Sequence, residues 1–220
     1  MEKALKIAVQ DSEVSALWLA PSKSTAALVL AHGAGTNMTH KSLAAIAAGL
    51  AERGIASLRY NFLYSEPGSG RPDPPPRAHA AVRAAAKEAV RLAGELPLFA
   101  GGRSFGGRMT SQAQALEPLP NVRGLIFFAF PLHPGGKPSD ERAKHLLDVK
   151  IPMLFLQGTK DALAEVDLIK PVVRRLGDRA TLKLIEGADH SYHVAAKTGR
   201  KDADVLAELL DTSADWIAAH

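Results

Sequence analysis

The sequence of 220 residues predicts an α/β fold built on an eight-stranded, mostly parallel sheet with helices on both faces. Three observations lead there. Eight short apolar runs read as strands, and the later ones are continuous, as in Leu28-Val29-Leu30 and Leu125-Ile126-Phe127-Phe128; such runs suit strands buried on both faces. Segments of helical spacing separate those later runs, which implies parallel strands joined by right-handed crossovers. Two long Pro/Gly-rich stretches each follow a strand, which puts them at the carboxyl edge of the sheet, where open α/β folds bind ligands.

In chain order, Leu5 to Val9 and Val14 to Leu19 flank the polar turn Gln10-Asp11-Ser12-Glu13 and form an antiparallel hairpin. The next strands are expected at Ala26 to Ala31, Ile55 to Tyr60, Leu96 to Ala100, Gly124 to Ala129, Pro152 to Gln157 and Thr181 to Glu186. Helices are expected from Ser42 to Arg53, where Leu43, Ile46, Ala47 and Leu50 share a face, and from Arg77 to Gly94, which ends on a capping glycine. Phe105 to Leu116 and residues 165 to 176 and 202 to 219 complete the set. The irregular stretches are Asn61 to Pro76 and Phe130 to Ser139; their prolines argue for stiff loops. No linker or repeat divides the chain, so one domain over 1–220 is expected, and the chain is too short for a large lid after its sixth strand.

Composition narrows the function. Apolar residues make up 46% and charged residues 23%, ordinary values for a soluble protein with a sizeable core. The net charge of +4 is spread along the chain without a basic stripe, so no nucleic-acid partner is expected. No run approaches a membrane span, and the start lacks the apolar core of a signal peptide. The absence of cysteine excludes disulfides and thiolate metal sites. A cytoplasmic location and no membrane partner are the resulting expectations; the oligomeric state is open.

Gly102-Arg103-Ser104-Phe105-Gly106 matches G-x-S-x-G, a weak signal alone. It stands between a strand and a helix, the setting of a nucleophile elbow in an α/β-hydrolase fold. There the serine occupies a sharp turn, and flanking glycines avoid collisions. The bland reading is a helix N-cap serine. A serine nucleophile needs a base. His190 follows the last strand and is the expected base, with His193 its rival. Asp161, after the seventh strand, is the expected acid, with Asp189 its rival and a helix cap its bland role. The oxyanion hole is expected from the backbone N–H of Phe105 and of Ala34, or alternatively Gly35, in His32-Gly33-Ala34-Gly35. No cofactor and no metal are expected: Gly33-Ala34-Gly35 lacks the third glycine of a dinucleotide loop, Arg108-Met109 stand where a phosphate loop needs Lys-Ser or Lys-Thr, and His190 and His193 have no suitable third ligand nearby except Asp189. Gly35, Arg103 and His133 are candidate substrate contacts, with Lys137 and Arg71 near the mouth. Arg103 and Arg108 also have a structural reading, pairing with carboxylates beneath the sheet edge. If one faces the pocket instead, an anionic acyl substrate is favoured.

The chain resembles the small α/β-hydrolases distantly similar to dienelactone hydrolases, a group of bacterial predicted hydrolases that also includes an animal subunit of the non-specific-lethal chromatin complex. The segments that carry the resemblance are His32-Gly33-Ala34-Gly35 with Met38 and His40, Arg59-Tyr60-Asn61-Phe62, Arg71-Pro72-Asp73, Gly101 to Met109, Phe130-Pro131-Leu132-His133-Pro134, Gln157-Gly158-Thr159-Lys160-Asp161 and Asp189-His190-Ser191. The resemblance implies Ser104, Asp161 and His190 as a triad; the triad order itself points to an esterase or related acyl hydrolase, and the proline-braced loop Phe130 to Ser139 to a narrow pocket for a small acyl group. Relatives often carry an aromatic and a glycine after the acid; this chain has Ala162-Leu163-Ala164. Because some relatives act as scaffolds, a silent protein-interaction module is the alternative function.

Overall fold

Eight strands form one sheet in the order β1-β2-β4-β3-β5-β6-β7-β8. The computed structural model describes residues 2–68 and 70–220; Ser69, within the irregular stretch 61–76, lies outside the described residues, as does Met1. The strands are β1 Glu2–Val9, β2 Ser12–Leu19, β3 Ala26–Ala31, β4 Ile55–Tyr60, β5 Leu98–Arg103, β6 Val122–Phe128, β7 Met153–Gly158 and β8 Ala180–Ile185. β1 and β2 pair antiparallel, β2 is antiparallel to β4, and every later pairing is parallel. The α/β-hydrolase architecture read from the sequence is the architecture found, and it carries no cap domain.

The helices are α1 Lys41–Glu52, α2 Pro75–Ala93, α3 Phe105–Leu116, α4 Val166–Leu176 and α5 Asp202–Ala218. Two apolar clusters cover the two sheet faces. One contains α1 and α5, the other α2, α3 and α4. β3 and β4 are buried at every residue, as continuous apolar strands between helical layers must be. Among the described residues no helix is long and apolar enough to cross a membrane.

Three expectations shift. β5 does not stop at Ala100 but continues through Gly101 and Gly102 to Arg103. Glycine is a poor strand former, yet a Cβ on Gly101 would lie 1.9 Å from the Ile126 carbonyl oxygen, so packing against β6 overrides propensity. α2 begins at Pro75, because proline fits the first helical turn, where its missing N–H is not needed. Between β6 and β7 a 3₁₀ segment, Glu141–Asp148, occupies a stretch to which the sequence reading assigns no element.

Candidate active site

The carboxyl ends of β3, β5, β7 and β8 bring four loops together. At the end of β5, Ser104 has φ 49° and ψ −113°, the left-handed region that a serine adopts only when its surroundings impose it. Two neighbours impose it. A Cβ on Gly102 would lie 2.4 Å from the Ala31 carbonyl oxygen, and one on Gly106 would lie 2.5 Å from that of His32. Only glycine at both places lets the turn press against β3. Ser104 holds the N-cap position of α3, yet its side chain makes no capping hydrogen bond. Its Oγ lies 2.9 Å from Nε2 of His190 instead.

His190 is about one quarter exposed, whereas Asp161 is fully buried. Nδ1 of His190 donates to Oδ2 of Asp161 at 2.8 Å. Since a carboxylate can only accept, the Nδ1 proton is fixed and the Nε2 lone pair faces the serine hydroxyl. The carboxylate is itself held: Nε2 of Gln157 donates to Oδ2 at 2.5 Å, and the Leu163 N–H donates to Oδ1 at 2.8 Å. Asp161 thus tightens its own loop as well as facing His190. The Ala162-Leu163-Ala164 departure is accommodated by that bond and by the Leu163 carbonyl, which accepts from the Leu132 N–H at 2.8 Å.

The rivals lie elsewhere. His193 is exposed and its ring bonds Asp202 at 3.0 Å, which raises its pKa. Oδ1 of Asp189 accepts from the N–H groups of Ser191 and His193, at 2.7 and 2.9 Å, and so shapes the turn that presents His190.

The loop after β3 is shaped around the Gly33 carbonyl. The Gly33 carbonyl oxygen is gripped from inside by His32 Nδ1 at 2.8 Å, Thr36 Oγ1 at 2.8 Å and the Tyr64 hydroxyl at 3.2 Å. In a trans peptide the next N–H points the opposite way, so the Ala34 N–H is turned outward, on an exposed residue. Burial pushes the Tyr64 hydroxyl up to about 12, so it stays protonated. His32 accepts from the Phe62 N–H through Nε2 at 3.1 Å, and burial lowers its pKa to about 4. Its neutral Nδ1–H form is therefore fixed. The Phe105 N–H belongs to the first turn of α3, which has no intrahelical acceptor for it.

His32 and Tyr64 escape sequence reasoning because they act only on the direction of a backbone peptide. Two other expectations change. His133 is not presented to a substrate: it is 1% exposed, with Nδ1 on the Pro134 carbonyl at 2.9 Å and Nε2 on Glu165 at 2.5 Å. It anchors the loop after β6 to the start of α4. Among the described residues neither Arg103 nor Arg108 pairs with a carboxylate. Nη2 of Arg103 donates to the His190 carbonyl at 3.1 Å, and its side chain lines a cavity of about 160 Å³ with Ser42, Ser191, Tyr192 and Leu206. Arg103 thus braces the base loop while facing a small cavity beside it.

Residues 24–218 match the family model described as an alpha/beta hydrolase domain. Among solved structures, a dienelactone hydrolase from Anabaena variabilis superposes with a TM-score of 0.82 at 19% identity, over 100% of this chain and 98% of that one. A serine hydrolase without a lid from Xanthomonas campestris gives 0.77 at 22% identity, over 98% and 94%. An esterase domain from Rhodothermus marinus gives 0.73 at 14% identity, over 98% and 97%. At these identities the likeness is one of fold.

Proposed function

The chain belongs to the alpha/beta hydrolase domain family, and from that premise we propose that it is a serine hydrolase cleaving small acyl esters, thioesters or lactones through an acyl-enzyme. The observation that carries the reading is the continuous line Ser104 Oγ, His190, Asp161, with contacts of 2.9 and 2.8 Å. A protein that used this fold only for docking would have no need to hold that line intact.

In the proposed reaction, Ser104 Oγ bonds to the acyl carbon while His190 Nε2 takes its proton. Asp161 stabilises the imidazolium without taking a proton itself. The carbonyl oxygen becomes an oxyanion between the N–H groups of Ala34 and Phe105; one such donor contributes about 3–4 kcal/mol to the barrier reduction. The carbon–oxygen bond to the leaving alcohol breaks, and His190 returns the proton to that oxygen. Water then adds to the acyl carbon, giving its proton to His190, and the acid leaves as Ser104 recovers its hydrogen.

A panel of short esters, thioesters and lactones, run with wild type and Ser104→Ala in parallel, tests the reading. Turnover is expected at chains of two to four carbons in the wild type and at background level in the variant. No turnover of any panel member by folded wild type, or equal turnover by both proteins, contradicts it.

A further inference from the structure

Partly buried arginines in this chain generally have an anion or a carbonyl. Arg53 holds Asp211, Arg83 holds Glu117, Arg200 holds Glu208, and Arg103 holds the His190 carbonyl. Arg123 and Arg174 have no ion pair but are exposed to water. Arg108 and Arg142 differ from both groups. Each is partly buried, and neither makes an ion pair or a side-chain hydrogen bond among the described residues. Nε of Arg108 is buried without a hydrogen-bond partner, and the guanidinium lies over the Phe105 ring. The two lie close enough for the Arg142 charge to depress Arg108, which burial and that neighbour bring to about 10. Arg108 therefore stays charged at neutral pH, and a guanidinium such as that of Arg142 is not deprotonated in proteins, so like charges repel where water is partly excluded.

Nearby groups do not relieve this. His145, from the same 3₁₀ segment as Arg142, is held by Ser111 at 2.8 Å and lowered to about 4 by burial and by Arg108. His79 of α2 rests on Gln112 at 3.2 Å and is also lowered. The acids around the segment serve others or stand off: Glu141 holds Lys144, Asp140 holds Arg175, and Asp148 is exposed and acts on His145. Two guanidinium groups thus stand on a neutral floor where α2, α3 and the 3₁₀ segment meet. Partly buried charge of one sign without a counter-charge is costly, and an oxyanion bridging two guanidinium groups removes that cost with charge-assisted hydrogen bonds.

We propose that Arg108 and Arg142 form the anion subsite of the active site, holding a free carboxylate or phosphate carried by the ester substrate whose carbonyl lies at Ser104. The proposal rests on the ester-hydrolase reading for the position of that carbonyl. Arg108 is one helical turn beyond Ser104, and helical side chains lean toward the N-terminus. Accordingly, the Arg108 guanidinium carbon lies 5.9 Å from the ring centroid of Phe105, the residue next to the nucleophile. The positive end of α3 adds to the attraction.

Binding and turnover are measured separately. Isothermal titration of Ser104→Ala protein with glutarate and with inorganic phosphate is expected to show binding of at least one. Arg142→Gln and Arg108→Gln, each added to Ser104→Ala, are expected to weaken that binding roughly tenfold or more, the loss of one charged hydrogen-bonded contact. Glutarate binding points to a carboxylate substrate; binding of phosphate alone points to a phosphorylated one. In the nucleophile-competent protein, kcat/KM for monomethyl glutarate is expected to exceed that for methyl valerate, with the ratio falling in Arg142→Gln and in high salt. Arg142 lies on the surface segment, so its substitution is compatible with folding even if Arg108→Gln is not. Absence of binding by either anion, or binding indifferent to Arg142→Gln, overturns the subsite. Bound glutarate that depends on Arg142, together with failure to hydrolyse either ester, upholds the subsite and counts against the ester-hydrolase reading alone.

Discussion

His190→Ala is expected to lower kcat on a short-chain ester by roughly 10⁴–10⁶, the range seen when the base of a serine triad is removed. The reason lies in the geometry. The Ser104 hydroxyl has the His190 Nε2 at 2.9 Å as its proton acceptor, and a hydroxyl without a base is a poor nucleophile at neutral pH. His193→Ala should leave kcat within about twofold, because surface substitutions away from a site rarely matter. Its ring is exposed and spends its bonds on Asp202. Steady-state kinetics on both variants, with melting curves to show that each is folded, reads this directly. Loss of activity in His193→Ala with retention in His190→Ala would reverse the roles.

Asp161→Asn is expected to lower kcat by about 10⁴ through the tautomer of His190. The carboxylate accepts from three donors, the His190 Nδ1, the Gln157 Nε2 and the Leu163 N–H. An asparagine has one acceptor oxygen. If that oxygen stays with Leu163, the amide NH₂ meets His190, and Nδ1 must become the acceptor. The ring proton then moves to Nε2, which can no longer take one from Ser104. The amide also meets Gln157 as a second donor, so a stability loss of about 1–3 kcal/mol accompanies the kinetic effect. Asp189→Asn is the control, since that carboxylate caps the turn while the His190 ring hydrogen-bonds Asp161 and Ser104. Full activity in Asp161→Asn would remove Asp161 from the mechanism.

Much of the fold was legible because buried parallel strands and amphipathic helices impose strong periodicities. β3 and β4 have the bounds expected from Ala26 to Ala31 and from Ile55 to Tyr60. Local propensity misled where tertiary packing dominates, as at Gly101, whose missing Cβ admits the Ile126 carbonyl. The meeting of Ser104, His190 and Asp161 was anticipated from chain order, since each follows a strand of the same sheet edge. Side-chain pairing was less legible. His133 looked like a rim group, but Glu165, over thirty residues later, takes its Nε2. Arg108 was expected to pair with a carboxylate, yet its charged neighbour is Arg142, in a 3₁₀ segment without a clear sequence signature. Tyr64 and His32 act by turning one peptide, an effect that no residue pattern announces.

The assignment of Ser104 as nucleophile is tested most directly by a fluorophosphonate probe followed by peptide mapping. The probe phosphonylates an activated serine and needs no knowledge of the natural substrate. Stoichiometric labelling of folded wild type on Ser104 alone is the result expected, with labelling lost in Ser104→Ala and strongly slowed in His190→Ala. No labelling of folded wild type, or labelling that persists in Ser104→Ala, would contradict the account.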